Sequence, residues 1–376
     1  MAQRTILEST DLTLRTRGIE FALPLRVVSA LYGGGVEAGK VDLSKPFRES
    51  SIRGHLRFWW RATIGGQFTD PDELRAREGQ VWGSTDQASR VSVEVLKAQP
   101  GTGIVAKRRE GERTVFEEPA YALFPAQSKE PHTIYKRGSF DLRLRFPEHL
   151  GDDVDAALRH WLTFGGIGAR TRRGLGALYC PNFAGLDKWM NPYQFLGNAT
   201  PRSWPTMKGA RVVWGAPTTW EQAWLTSIRV MQQYRQDRTG PRGRSYWEEP
   251  DAIRRLRRQS APQHSKPMTT EDIFPRAAFG MPIIVHFKTP GDPDQSTIQI
   301  DKEIDRMASP VILKPVAINE REAIPVMLAL NVTPAPQDLL LRDKHDDVRV
   351  QRGNADVVTG LLNKAAQDWR GQVYTL

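Results

Sequence analysis

The order of hydrophobic patterns in the first 180 residues constrains the fold most. Strand-like patterns, mostly of alternating apolar and polar residues, occupy residues 12–31, 90–96, 139–146 and 177–180. Apolar residues at helical spacing lie between them, at 49–63 and 152–164. The order strand, helix, strand, strand, helix, strand is that of a split βαβ unit. We therefore expect a ferredoxin-like sheet with one face free for ligands.

The second half of the chain shows a similar succession of predicted strands and helices, but less clearly. Strands are predicted at 209–214, 281–287, 310–318 and 323–330, and helices at 219–237 and 354–369. Residues 100–138 are rich in glycine, proline and charge, which favours a long loop or an exposed hairpin. We place a domain boundary near residue 186, which gives an amino-terminal domain of residues 1–185 and a carboxy-terminal domain of residues 186–376.

Composition narrows the class of partner. The net charge of +10 comes from 53 basic against 43 acidic residues, which favours a polyanionic partner. A single cysteine, Cys180, excludes an intrachain disulfide and cysteine-rich zinc sites. The dispersed histidines show no metal-binding spacing, so we expect neither a metal nor a cofactor. Without an apolar run that could span a bilayer or a secretory pattern, we expect a cytoplasmic protein with no membrane partner.

The helix predicted at 49–63 carries arginines at a spacing of four, which places Arg53, Arg57 and Arg61 on one face. Apolar residues fall mostly on another face, where they can pack inward: Ile52, Leu56, Trp59 and Trp60. We expect Ser50 or Ser51 to cap the start. Because guanidinium groups match phosphate oxygens and stack on bases, this face is a candidate RNA-binding surface. A solvated basic face is the alternative.

A glycine-rich segment follows the second predicted helix. Its glycines are Gly165, Gly166, Gly168, Gly174 and Gly176, and its arginines are Arg170, Arg172 and Arg173. Glycines permit tight turns whose backbone N–H groups bind anions, so a flexible scaffold with three guanidinium groups suits phosphate binding. The alternative is an ordinary helix end followed by a surface turn. We expect this segment and the arginine helix to converge on one polyribonucleotide.

Three weaker signals remain. Residues 34–41 nearly spell a phosphate-binding P-loop, but Val41 stands where a magnesium-binding Ser or Thr belongs, so we reject nucleotide hydrolysis. Lys40 and Lys45 stay candidates for backbone phosphates. The basic segment 238–258 is either a solvated face or a mobile loop that RNA orders. Aromatic residues near the boundary either stack bases or form an interdomain core: Trp189, Tyr193, Phe195 and Trp204.

Three motifs resemble one known family. SIRGHLRFWWR (51–61), GGIGARTRRGLG (165–176) and, more weakly, RMASPVILKP (306–315) are similar to the first subunits of type III-B CRISPR Cmr effector complexes, within the RAMP superfamily. The resemblance is specific over most of the first half and loose over 186–300. It implies tandem ferredoxin-like (RRM-like) RAMP domains with long loop insertions, an α+β fold.

The resemblance also implies a function. It suggests a non-catalytic RNA-binding subunit near the 3′ end of the guide RNA (crRNA), which helps capture target RNA for antiviral defence beside other RAMP subunits. The RNA contacts it implies are the six arginines of the two motifs, with Trp59 and Trp60 as packing or stacking residues. One alternative is a metal-independent endoribonuclease that processes CRISPR RNA, with His55 or His160 as acid or base. Another is an assembly factor whose arginines meet acidic protein surfaces.

Overall fold

The structure is a computed structural model that describes residues 18–128, 130–183, 196–240, 244–344 and 346–376. The predicted domain boundary near 186 lies outside these ranges, as do residues 12–17 of the first predicted strand and Trp189, Tyr193 and Phe195. The described chain has a mixed α/β fold. Within these ranges, no helix combines the length and the hydropathy needed to cross a membrane.

The first half is built on a four-stranded antiparallel sheet. The strands of the first half are β1 (Gly18–Val27), β2 (Ser92–Gln99), β3 (Thr102–Val105), β4 (Lys107–Glu110), β5 (Arg113–Phe116), β6 (Thr133–Lys136), β7 (Ser139–Pro147) and β8 (Leu178–Tyr179). The helices of the first half are α1 (Glu49–Ala62), α2 (Pro71–Trp82), α3 (Ala120–Leu123) and α4 (Gly151–Phe164). The main sheet has the order β2-β7-β1-β8. Leu23 pairs with Leu142 across its centre, and both side chains are buried.

The charged stretch between β2 and β7 is more regular than a loop. β3 pairs with β6, and β4 with β5, in two antiparallel ribbons. The exposed-hairpin interpretation fits β4 and β5, whose side chains are mostly exposed. α3 lies between β5 and β6 in the sequence and buries Ala122 and Leu123.

The second half repeats the order of elements. Its strands are β9 (Thr206–Trp214), β10 (Thr218–Thr219), β11 (Ile283–Val285), β12 (Ser296–Gln299), β13 (Val311–Ala317), β14 (Glu322–Asn331), β15 (Asp338–Arg342), β16 (Asp347–Gln351) and β17 (Tyr374–Thr375), and its helices are α5 (Trp220–Arg235), α6 (Glu249–Arg257) and α7 (Val357–Trp369). In the main sheet, β14 pairs with β13, β10 and β9, and β9 pairs with β17. The order β13-β14-β9-β17 matches the order β2-β7-β1-β8 strand for strand.

A third sheet, of order β11-β12-β15-β16, comes from two separate insertions in the second half. One insertion lies between α5 and β13, and the other between β14 and α7. Ile253 of α6 belongs to the same small core as Ile298 and Leu339. Sequence patterns predicted only the first of these strands, because the others are short and carry polar residues.

The basic segment 238–258 is not a single solvated face or a single loop: Arg238 and Arg258 at its ends are exposed, whereas its second part is helical and partly buried. Its second part is α6, and Arg254 of α6 forms ion pairs with Asp251 and Asp292 at 2.8 and 2.9 Å. The Asp292 side chain is 1% exposed. This charge cluster holds α6 to the small sheet.

The two halves share one hydrophobic core. Trp59 and Phe164 of the first half lie in the same buried cluster as Val212, Ile312 and Leu328 of the second. Trp204, which was expected either to stack bases or to join an interdomain core, packs against this cluster. The two sheets are therefore joined through apolar contacts as well as through the chain.

Candidate nucleic-acid interface

The arginine helix forms as predicted and buries its apolar face. Ile52, Leu56 and Trp60 are completely buried, and Trp59 is 2% exposed. The Trp60 indole N–H donates to Asp153 of α4 at 2.6 Å, which ties α1 to α4. The capping prediction was wrong: the N-cap is Arg48, which makes no side-chain cap bond, and Ser50 and Ser51 lie within the helix. Both tryptophans therefore pack, which leaves neither ring free to stack on a base.

The arginine stripe faces α2. Arg57 Nε and Arg61 Nη1 donate to the same Glu78 oxygen, at 2.6 and 2.7 Å. The Glu78 side chain is 5% exposed, whereas those of the two arginines are 37% and 33% exposed. Arg53, one turn earlier, is partly buried. Two of the three predicted arginines thus already neutralise a buried carboxylate inside the protein.

The glycine-rich loop is held in one conformation by hydrogen bonds, so the predicted flexible scaffold is corrected. The Trp161 indole donates to Gly166 O, and the amides of Ile167 and Ala169 donate to Gly176 O and Tyr32 O, all within 2.9 Å. Arg170 adopts a left-handed backbone with φ 59°. A loop fixed in this way presents its side chains in fixed positions.

Close backbone contacts explain two of the glycines. Gly174 has φ +75°, and an added Cβ would lie 2.8 Å from Trp224 Cδ1 and 3.0 Å from Leu313 O. Gly34, in the turn after β1, would place a Cβ 3.1 Å from Gly168 Cα. The glycine turn near residue 34 is therefore a packing partner of the loop.

The loop arginines bind backbone carbonyl groups. Arg170 Nε donates to Ala122 O at 2.9 Å, Arg173 Nη1 donates to Val311 O at 3.2 Å, and Arg172 donates to Ser309 O. Each bond uses only part of a guanidinium group that carries five N–H donors. Arg172 and Arg173 also connect the loop of the first half to β13 of the second half and the residues before it.

The loop and the arginine helix meet at Phe58. The Arg172 guanidinium carbon lies 5.4 Å from the centre of the Phe58 ring. Successive helix residues are turned by about 100°, so Phe58 points away from the direction of Arg57. The loop and the helix therefore lie side by side at Phe58, while Arg57 and Arg61 turn toward Glu78 instead of joining the loop arginines.

Arg235, at the end of α5, completes a cluster that the sequence did not reveal. Burial, together with the positive charges of Arg235, Arg170 and Arg172, lowers the pKa of Arg173 to about 10. Burial likewise lowers the pKa values of Arg170 and Arg172. We call these four residues (Arg170, Arg172, Arg173 and Arg235) the guanidinium cluster. All four remain positively charged at neutral pH.

The guanidinium cluster has no internal counter-charge over the described ranges. None of its four members has a carboxylate of those residues within 4.0 Å. The nearby polar groups include the phenols of Tyr32 and Tyr121, which interact electrostatically with Arg170. Partly buried like charges without a counter-ion form a site that an anion would stabilise.

Lys40 and Lys45 lie on an exposed turn away from such a concentration of charge. Lys40 pairs with Glu37 at 2.5 Å and Lys45 with Glu49 at 2.9 Å, and both side chains are more than half exposed. The near P-loop folds as a turn closed by the Gly35 amide on Lys40 O at 3.0 Å, and residues 41–48 are not helical. These two lysines therefore contribute only screened surface charge.

Of the two candidate catalytic histidines, His160 is buried and His55 is partly buried. Burial, and for His55 the charge of Lys314, lowers the pKa of each to about 4. His160 Nδ1 donates to Ala156 O at 2.7 Å, in the last turns of α4. Across the part of the chain that the structure describes, no three His, Cys, Asp or Glu side chains are grouped to hold a metal ion.

Residues 24–179 match the family model described as the RAMP superfamily. We call this matched segment, residues 24–179, the RAMP region. The chain is similar to the CRISPR system Cmr subunit Cmr1-2 of Pyrococcus furiosus, with 28% identity over 179 residues, which are 42% of this chain and 94% of that protein. Subunit Cmr1-1 of the same organism is 28% identical over 134 residues, which cover 35% of this chain and 39% of that protein.

A solved structure extends the likeness beyond the RAMP region. The crystal structure of apo Cmr1 from Pyrococcus furiosus aligns with 94% of this chain and 98% of its own, with a TM-score of 0.52 and 18% identity. The two chains therefore share a fold. The resemblance drawn from the three motifs is confirmed. The RAMP region includes the glycine-rich loop, whereas Arg235 and β13 lie outside it.

Proposed function

We propose that this chain is a non-catalytic RNA-binding subunit of a type III-B Cmr effector complex, and that it contacts RNA through the guanidinium cluster. One observation carries the proposal: four guanidinium groups from a fixed loop and from α5 lie together without a carboxylate from the described residues. The names of the similar proteins, Cmr subunits of Pyrococcus furiosus, support the assignment to this kind of complex.

The chemistry of the cluster fits a phosphate backbone. Guanidinium groups donate pairs of N–H bonds to phosphate oxygens, and each backbone carbonyl contact seen here leaves other donors available. Such contacts position a strand without reading its bases, so we propose low sequence preference. Guide RNA and target RNA are the proposed ligands, and other RAMP subunits of the complex, acting in antiviral defence, are the proposed protein partners.

The six predicted arginines divide into three sets under this proposal. Arg170, Arg172 and Arg173 contact RNA together with Arg235. Arg57 and Arg61 serve mainly to neutralise Glu78, and Lys40 and Lys45 add only weak surface attraction. Arg53 stays a candidate at the edge of the site.

The same proposal includes the finer architecture. We propose that each half is a ferredoxin-like RAMP domain, with bounds of 1–185 and 186–376. The matching strand orders of the two main sheets support this, because both follow the order of a split βαβ unit. The shared core supports two domains that act as one body.

Absence of catalysis is part of the proposal. A general acid or base must reach its substrate and hold a pKa near the working pH. His160 is buried and His55 is partly buried, and their pKa values near 4 leave both neutral at pH 7. These properties favour packing roles over the endoribonuclease alternative.

Binding of labelled single-stranded RNA, followed by fluorescence anisotropy at rising KCl, tests the proposal. We expect an affinity that falls steeply with salt, since each phosphate contact releases counterions. Arg235→Ala should weaken binding about fivefold or more and reduce the logarithmic salt slope by about one. The exposed Arg229 of the same helix supplies a matched control, and Arg229→Ala should change neither quantity.

Equal behaviour of the two variants would overturn the proposed site, and salt-independent binding would overturn the proposed function. Cleavage of CRISPR repeat RNA by the purified protein in EDTA, lost in His55→Ala, would instead establish the endoribonuclease alternative.

A further inference from the structure

Lys314 is a buried lysine at the centre of the molecule. Its residue is 1% exposed, and no carboxylate of the described residues lies within salt-bridge distance. Its ammonium group donates to Leu162 O at 3.0 Å and to Gly165 O. Burying an ammonium group without an opposite charge is costly, and here it lowers the pKa of Lys314 well below its usual value.

The two carbonyl groups that Lys314 binds mark the junction between α4 and the glycine-rich loop. α4 ends at Phe164, so Leu162 and Gly165 supply carbonyls at the partially negative end of the helix. Gly165 has no room for a side chain, because a Cβ there would lie 2.5 Å from Trp161 Cδ1 and 2.6 Å from Trp59 Nε1. The ammonium group thus holds the first residue of the loop against two tryptophans.

The same segment of the second half holds the rest of the loop. Ser309 O and Val311 O accept hydrogen bonds from Arg172 and Arg173, and Leu313 O lies against Gly174. Together with Lys314, these residues form four contacts with the loop, which extend from Gly165 to Gly174. Residues 309–314 therefore fix the position of the glycine-rich loop.

We propose that Lys314 is a positioning residue: by holding Gly165 O, it fixes the glycine-rich loop on β13 and so sets the spacing of the guanidinium cluster for RNA. Lys314 does not contact RNA itself. This inference rests on the proposed function, since it assigns a positioning role for the same site.

A stabilising role alone does not explain a lysine here. Replacing a buried charged group by an apolar side chain of similar volume is often neutral or stabilising. Methionine has nearly the length of lysine and fills irregular space. If Lys314 served only to pack, its exchange for methionine would cost little; if it positions the loop, the exchange should spare stability and impair binding.

The test compares Lys314→Met with Lys364→Met, which removes a lysine from the surface of α7. For each protein we would measure the free energy of unfolding in urea, the RNA affinity by anisotropy, and amide hydrogen exchange of residues 165–176. We expect Lys314→Met to keep or raise the unfolding free energy, to weaken RNA binding about tenfold, and to speed exchange at Ile167, Ala169 and Gly176. Lys364→Met should leave binding and exchange unchanged.

Lys314→Gln keeps an N–H donor for one carbonyl, so it should recover part of the affinity and part of the exchange protection. Unchanged loop exchange and unchanged RNA affinity in Lys314→Met would overturn the inference. A loss of RNA binding that is matched by a global loss of stability would also overturn it, as would failure of both Lys314 variants to fold. If the wild-type protein binds no RNA, the proposed function fails, while the exchange measurement still reports whether Lys314 fixes the loop.

Discussion

Arg57 donates a 2.6 Å hydrogen bond to Glu78, a carboxylate whose side chain is only 5% exposed. Arg61 binds the same oxygen at 2.7 Å. Removing both partners leaves a buried negative charge uncompensated, so we expect Arg57→Ala/Arg61→Ala to lose about 2–3 kcal/mol of unfolding free energy in urea. Changing both to glutamate would bring three carboxylates together and should prevent folding.

The surface pair Arg75–Asp72 provides the control, because both side chains are more than three-quarters exposed. Arg75→Ala should change the unfolding free energy by less than about 0.5 kcal/mol. If the double alanine variant keeps its full stability but loses much of its RNA affinity, Arg57 and Arg61 contact RNA and do not serve mainly to neutralise Glu78.

Gly174 offers a second test, of the rigidity of the glycine-rich loop. An alanine there would take a left-handed backbone and press on Trp224 and Leu313, so Gly174→Ala should lower the unfolding free energy by at least about 1 kcal/mol. Gly54 of α1 has open space around its Cα, and Gly54→Ala should raise it by about 0.5–1 kcal/mol. Equal effects from the two changes would show that the loop tolerates side chains and is mobile.

The buried histidines give a third prediction, on pH. Their folded pKa values near 4 lie below the ordinary value of 6.5, so the unfolded chain binds protons first as the pH falls. The stability they contribute is complete above about pH 6.5 and is lost progressively toward pH 4. Between pH 7 and pH 5 we expect the unfolding free energy to fall by about 2 kcal/mol per histidine.

Urea titrations at several pH values measure this slope. His55→Gln should make it shallower, whereas His149→Gln, at an exposed position, should leave it unchanged. A stability that stays flat between pH 7 and pH 5 would contradict burial of neutral imidazoles.

Much of the fold followed from local patterns. α1, α4, β7 and β14 were located within a few residues because their apolar patterns are strong: α1 and β7 bury one face, whereas α4 and β14 are apolar and buried over most of their length. β12, β15 and β16 were missed since strands of four or five residues with polar ends carry little periodic signal. α6 was missed because its arginines outweigh its apolar residues, and the carboxylates that neutralise them, such as Asp292, are distant in sequence.

The candidate site, like the fold, could be predicted from the sequence only in part. The glycine-rich loop could be predicted from composition alone, since glycine and arginine seldom alternate without a structural reason. The roles of Arg57 and Arg61 could not, because helical spacing shows that they share a face but not that Glu78 lies opposite. Arg235 and Lys314 were hidden for a related reason: each reaches the loop from the other half of the chain.

The small sheet of β11, β12, β15 and β16 has a consequence for synthesis of the protein. The hairpin of β11 and β12 emerges from the ribosome long before β15 and β16, because β13 and β14 of the main sheet lie between them in the sequence. Until β15, which ends at Arg342, has been translated, the β12 edge has no partner strand and offers its backbone to any neighbouring chain. The nascent protein should therefore need protection from aggregation late in translation, at the step when its last insertion closes this sheet.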